Sequence, residues 1–158
     1  MILVDSRARR TDCLAFMATA SSIVLYVEDE DAAVFLLETA LKEAGIQLKL
    51  YRVSDGEQAL AFLRGAGAYE KAPRPDLILL DLNLPRKNGL EVLSEMQNDP
   101  RLRDIVVIVF TSSALSSDRR KSLALGAREY ITKPSSFDGF VQAVKNACSL
   151  FPSSAGSV

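Results

Sequence analysis

The sequence predicts an α/β fold: a doubly wound sheet of five parallel strands alternating with five helices, in the strand order 2-1-3-4-5. Three observations carry this. Short apolar runs of the kind buried on both faces recur along the chain, Leu77-Ile78-Leu79-Leu80 and Ile105-Val106-Val107-Ile108-Val109-Phe110 being the most continuous. Between the runs lie segments with apolar residues at helical spacing, most of them closed by glycine, asparagine or proline. The runs also end on polar side chains that a buried strand does not need: Glu28-Asp29, Asp81, Thr111 and Lys133.

The first strand is Ile23-Val24-Leu25-Tyr26-Val27, followed by the acidic loop Glu28-Asp29-Glu30-Asp31. Val34, Leu37, Leu41 and Ala44 then mark a helix up to Gly45, a natural left-handed stop. Residues 46–53 alternate apolar and polar, as an outer strand covered mainly on one side does, and Ser54 or Asp55 caps a second helix with Leu60 and Leu63 inward. Gly, Ala and Pro dominate 65–75, a surface loop that is long for its place and reads as an interaction element or an insertion.

The third strand, 77–81, is bounded by Pro75-Asp76 and Pro85. Asn88-Gly89 marks a turn into a helix carrying Leu90, Leu93 and Met96, which Asn98-Asp99-Pro100 stops. The run 105–110 is a central strand ending in Thr111-Ser112-Ser113. A helix over 118–125 has a weak apolar face and the basic run Arg119-Arg120-Lys121, which reads as solvated. Glu129–Thr132 is the last strand, leading to Lys133-Pro134, and Phe137, Phe140, Val141, Val144 and Cys148 share one face of the final helix.

Composition narrows the chemistry. Nineteen basic against twenty acidic residues in a chain of 158 leave no electrostatic footprint for nucleic acid, and no apolar run reaches the length of about 18 residues that a membrane span needs. Cys13 and Cys148 form no metal or redox motif, so a reducing cytoplasm is expected. The chain holds no histidine, which removes Ser-His-Asp and Cys-His catalysis and the common zinc sites. We read 1–22 as an N-terminal extension outside the fold, with Met17 as an alternative start, 23–150 as one domain and 151–158 as a tail.

In the order 2-1-3-4-5 the first, third and fourth strands are neighbours, so their carboxyl ends bring Glu28, Asp29, Asp81 and Thr111 together, with Lys133 entering from the fifth. Three carboxylates in one pocket repel, and a raised pKa or a bound hard cation relieves them. An octahedral magnesium on Asp29 and Asp81, with Glu28 through water, a backbone carbonyl and further waters, is the economical solution. Such a set suits attack by Asp81 on a phosphoryl group, while Lys133 and Thr111 stabilise its oxygens.

Four blocks in order, Val27-Glu28-Asp29, Leu79 to Pro85 with Asn88-Gly89, Val109-Phe110-Thr111-Ser112, and Glu129-Tyr130-Ile131-Thr132-Lys133-Pro134, resemble the signature of the response-regulator receiver domain of two-component signalling. The likeness spans about residues 22–150 and is strongest to the stand-alone receivers of the cyanobacterial phytochrome type. It implies a flavodoxin-like fold and a phosphoacceptor, Asp81, fed by the phosphohistidine of a sensor kinase, phytochrome-like in the narrower match. It implies magnesium on Glu28, Asp29, Asp81 and the backbone carbonyl of Asn83, with Thr111 and Lys133 as catalytic groups. It further implies Thr111 and Tyr130 as a switch pair acting on the face of the fourth helix, fifth strand and fifth helix, a cis bond between Lys133 and Pro134, and Asn83 and Ser113 as positions that tune the acyl-phosphate lifetime. A self-phosphorylating regulator rather than a turnover enzyme follows, with an unidentified downstream protein and room for a homodimer. Glu28 and Asn88 depart from the commoner aspartates.

Each residue alone has a plainer explanation: Asp81 as a turn cap, the acids as partners of a helix dipole, Thr111 as an N-cap, Tyr130 as core and Lys133 as a solvated cation. Convergence at one sheet edge favours the site. The alternatives are a non-phosphorylated pseudo-receiver that only docks, and a magnesium phosphatase of the haloacid-dehalogenase type, against which stands Asn83 where that class needs a second acid.

Overall fold

The computed structural model describes residues 21–152. β1 (Ile23–Val27), β2 (Lys49–Val53), β3 (Leu77–Leu80), β4 (Val106–Thr111) and β5 (Glu129–Thr132) form one parallel sheet in the order β2-β1-β3-β4-β5, as expected. Five helices connect and flank them: α1 (Asp31–Ala44), α2 (Gly56–Arg64), α3 (Gly89–Gln97), α4 (Ser116–Ala124) and α5 (Phe137–Cys148). A single 3-10 turn, Gly67–Tyr69, occupies the loop expected over 65–75, where Tyr69 packs at a tilt against Phe62 of α2 with ring centroids 5.5 Å apart. That contact ties the long loop to the domain.

The helix ends follow their local chemistry. Gly45 closes α1 in the left-handed region (φ 71°), and its N–H and that of Ile46 satisfy carbonyls of the last turn. Asp55 rather than Ser54 caps α2, accepting from Gln58 N–H at 2.7 Å. Asn88 and Glu91 make a reciprocal capping box at the start of α3.

Strand alternation divides the core into two. Leu25, Val27, Ile78, Leu80, Val107 and Val109 face α2 and α3. On the other face Val24, Tyr26, Leu79, Ile108 and Phe110 pack against Leu37 and Leu41 of α1 and Phe140 and Val144 of α5. Phe137, the first residue of α5, does not join them: it is 39% exposed. Phe151, by contrast, is buried in the second core, so packing runs one residue beyond the domain end expected at 150. The expected extension, apart from Ser21 and Ser22, and the tail from 153 lie outside the described residues.

Register positions the site. Val27 lies opposite Leu80, Leu80 opposite Val109, and Thr111 opposite Thr132. Glu28 and Asp81 are therefore the next residues of two adjacent strands, Thr111 stands one residue further along β4, and Lys133 follows β5.

Candidate functional site

Asp81 is buried, and its Oδ1 accepts from the Thr111 hydroxyl at 2.8 Å and from the Asn83 N–H at 3.3 Å. Lys133 Nζ lies 3.6 Å from its Oδ2. Burial raises the carboxyl pKa, with Glu28 adding to the rise and Lys133, Thr111 and Asn83 opposing it. The backbone around it is closely packed: a Cβ on Gly89 would lie 2.6 Å from the Asp81 carbonyl oxygen and 2.8 Å from Leu82 Cα. Asn88-Gly89 thus serves a tighter purpose than the turn the sequence suggests, capping α3 and letting its first residue press against the end of β3.

Glu28 is buried and Asp29 exposed, and carboxylate oxygens of Glu28, Asp29 and Asp81 lie within 4.8 Å of one another. Three carboxylates with one side open to solvent form an oxygen-only donor set that fits a hard divalent cation. Glu28 is also heavily engaged inside the protein. Its Oε1 accepts from Lys133 Nζ at 2.5 Å and from the Tyr26 hydroxyl at 3.2 Å, and its Oε2 from the Glu30 N–H at 3.2 Å. The Lys133 ammonium also sits 5.9 Å from the centre of the Phe110 ring. Asn83 is exposed, and its N–H bond to Asp81 ties the segment bearing its carbonyl to the pocket.

Thr111 and Tyr130 are joined through Ser113. The Ser113 N–H donates to Thr111 Oγ1 at 3.3 Å, and the Ser113 carbonyl accepts from the Tyr130 hydroxyl at 2.7 Å. Tyr130 is buried in the core, and Arg119 donates to its carbonyl at 3.2 Å, so the basic run of α4 is not wholly solvated. The Ser113 hydroxyl is turned away, donating to Asp118 at 2.6 Å. One expectation is corrected: the Lys133–Pro134 bond is trans, as is every peptide bond among the described residues. Lys133 is aimed instead by its N–H, which donates to the Thr111 carbonyl at 2.7 Å as a continuation of the β4–β5 ladder, and by the Glu28 carboxylate.

Residues 24–145 match the profile of the response regulator receiver domain. The chain belongs to that family. It is 45% identical over 111 residues to the response regulator Rcp1 of Synechocystis sp., the match covering 70% of this chain and 76% of that protein. Among solved structures it resembles the phosphorylated cyanobacterial phytochrome response regulator RcpA, with 41% identity and a TM-score of 0.75 over 80% of this chain and 90% of that one. It is similar also to the Mn(2+)-bound form of Rcp1, with 40% identity and a TM-score of 0.75 over 82% and 93%.

Within this receiver domain the structure brings together every residue the sequence singled out for the pocket: Glu28, Asp29, Asp81, Asn83, Thr111 and Lys133. Two supporting residues escaped sequence reasoning. Arg52 donates from Nε to the Glu28 carbonyl at 2.9 Å and from its guanidinium to Asp31 at 2.8 Å, clamping the acidic loop to β2. Tyr26 reaches Glu28 from inside β1. Burial and the Glu28 charge push its phenol pKa far up, so it stays a donor. A signal for Tyr26 existed, since residues two apart on a strand share a face. Arg52 had none, because the expected order sets β2 beside β1 without fixing the register that brings Arg52 level with Tyr26 and within reach of the acidic loop. Among the described residues no helix is long and apolar enough to cross a membrane.

Proposed function

We propose that this receiver accepts a phosphoryl group on Asp81 from the phosphohistidine of a sensor kinase, and that it is a cytoplasmic regulator rather than a turnover enzyme. One observation carries the reading: a buried carboxylate at the end of β3, held by a hydroxyl at 2.8 Å and faced by an ammonium at 3.6 Å, stands beside two further acids. An Asp81 oxygen attacks phosphorus, the donor's phosphorus–nitrogen bond breaks, and the electron pair leaves with the imidazole, giving an acyl phosphate. Glu28, Asp29, Asp81 and the Asn83 carbonyl would hold magnesium, which when bound neutralises phosphoryl oxygens as a Lewis acid. Lys133 pairs with another oxygen and Thr111 donates to a third, drawing on the positions they already occupy around Asp81.

The Thr111–Ser113–Tyr130 connection is the route we assign to the output. A change in the Thr111 hydroxyl's partner bears on Ser113, and through its carbonyl on Tyr130 and the surface of α4, β5 and α5. The names of the solved relatives, one phosphorylated and one holding a divalent ion, support the chemistry. That RcpA is a phytochrome response regulator supports a phytochrome-like kinase as the donor, with a downstream protein or a second copy of the chain reading the altered face.

Magnesium-dependent labelling by phosphoramidate tests the reading. One phosphoryl group should appear on Asp81 by mass spectrometry, and its absence in a folded, magnesium-loaded protein would favour a pseudo-receiver that only docks.

A further inference from the structure

We propose that Tyr26 is a positioning residue for this site, orienting the Glu28 carboxylate toward magnesium and setting the resting place of Lys133; the proposal rests on the phosphoacceptor reading. Tyr26 is completely buried in the middle of an otherwise apolar strand. A phenylalanine would fill that space without bringing a hydroxyl that needs a partner. The hydroxyl finds one: it donates to Glu28 Oε1 at 3.2 Å, on the same face of β1 two residues on.

The ring is held in turn. Its centroid lies 6.4 Å from that of Phe110, which packs at a tilt against Phe140 of α5 at 5.3 Å, so the ring that carries the hydroxyl is held by aromatic neighbours on β4 and, beyond it, α5. Glu30 N–H holds the other Glu28 oxygen at 3.2 Å. The carboxylate is therefore gripped at both oxygens by groups of the β1 end and the loop after it, independently of Lys133. Lys133, arriving from β5, takes the same oxygen as Tyr26 at 2.5 Å.

Two effects of the hydroxyl oppose each other. Donation to Oε1 draws electron density from the carboxylate that would hold magnesium, while fixing the carboxylate's plane would spare the metal the cost of ordering it. Loss of partners that orient metal ligands commonly weakens metal binding by about 10–100-fold, so orientation outweighs the withdrawn charge.

The test is calorimetric titration of the full chain with magnesium alone, for wild type, Tyr26→Phe, Glu28→Gln and the double variant, alongside phosphoramidate labelling across magnesium concentrations. Tyr26→Phe should raise the magnesium dissociation constant by about ten-fold. It should raise the magnesium concentration for half-maximal labelling to match, and leave the rate at saturating magnesium within about two-fold. In the Glu28→Gln background the same change should have no further effect, because the carboxylate it orients is gone. Equal or tighter binding by Tyr26→Phe, or a ten-fold loss that recurs in the Glu28→Gln background, overturns the assignment. A wild-type chain that binds magnesium but is not labelled at Asp81 overturns the phosphoacceptor reading, while the dissociation constants still decide the role of Tyr26. A wild-type chain that binds no magnesium overturns both.

Discussion

Lys133 and Glu28, 105 residues apart in sequence, meet at 2.5 Å over the acid pocket, closer than Lys133 approaches Asp81. The lysine is held at rest by the neighbouring strand's acid and stands within reach of the phosphoacceptor. Removing it leaves Glu28 buried with a neutral hydroxyl and an amide as partners. We predict that Lys133→Ala lowers stability without magnesium by about 3 kcal/mol, the usual cost of stripping one member from a buried pair. Magnesium should bind at least as tightly and recover part of the loss, which melting curves with and without the ion will show. The Tyr130 ring signals in NMR should no longer respond to beryllofluoride.

Asp81→Asn should abolish labelling and keep the fold. Burial holds the folded Asp81 carboxyl above its ordinary value of 3.8, so the folded state keeps this proton to higher pH than the unfolded one. The stability that protonated Asp81 allows is complete below about pH 3.8 and is lost as pH rises through the folded pKa. The asparagine variant should therefore melt higher than wild type at pH 7 without magnesium, and the difference should shrink toward zero in acid. Magnesium at a hundred times its dissociation constant should stabilise wild type by about 2.7 kcal/mol and the variant by less, reversing the order.

Thr111→Ala removes, from a fully buried place beside Asp81, the donor proposed for a charged phosphoryl oxygen. A hydrogen bond to a charged group is worth roughly 1.5 kcal/mol, which converts to labelling about ten-fold slower at saturating magnesium. Tyr130 should also lose its response to phosphorylation, as relaxation-dispersion NMR before and after labelling will report. A Tyr130 response that survives in this variant would rule out the route through Ser113.

Gly89→Ala pushes a methyl group against the Asp81 carbonyl oxygen and Leu82 Cα, both backbone atoms that cannot turn aside. The expected cost is about 1–3 kcal/mol in urea unfolding. Labelling should fall as well, because α3 must withdraw from the strand that presents the acceptor. Gly45→Ala, far from the pocket, should destabilise without altering the labelling rate of the folded protein.

The sheet was legible because its signal is local and repeated. Runs such as Leu77-Ile78-Leu79-Leu80 tolerate no water on either face, and β1 and β5 begin and end where the sequence places them. The site residues were legible for a related reason: a parallel sheet brings the carboxyl ends of its strands to one edge, so Asp81, Thr111 and Lys133 announce themselves as polar stops to apolar runs. Phe137 shows where periodicity misleads, since helical spacing says which residues share a face and not how much of that face is covered at the helix's first residue. The trans Lys133–Pro134 bond shows the limit of resemblance, which carries a motif and not the conformation of one peptide.

By itself the sequence determined the alternation of strands and helices, the residues at the strand ends and their oxygen-rich, histidine-free chemistry, because hydrophobic periodicity and side-chain identity are written residue by residue; the order 2-1-3-4-5 followed as the common arrangement of five such strands. Only the tertiary structure decided the partnerships: Lys133 with Glu28, Tyr26 with the same oxygen, Arg52 with the acidic loop, and Ser113 between Thr111 and Tyr130. Those depend on distances of a few ångströms between residues from different strands and loops, which packing sets and local pattern does not encode.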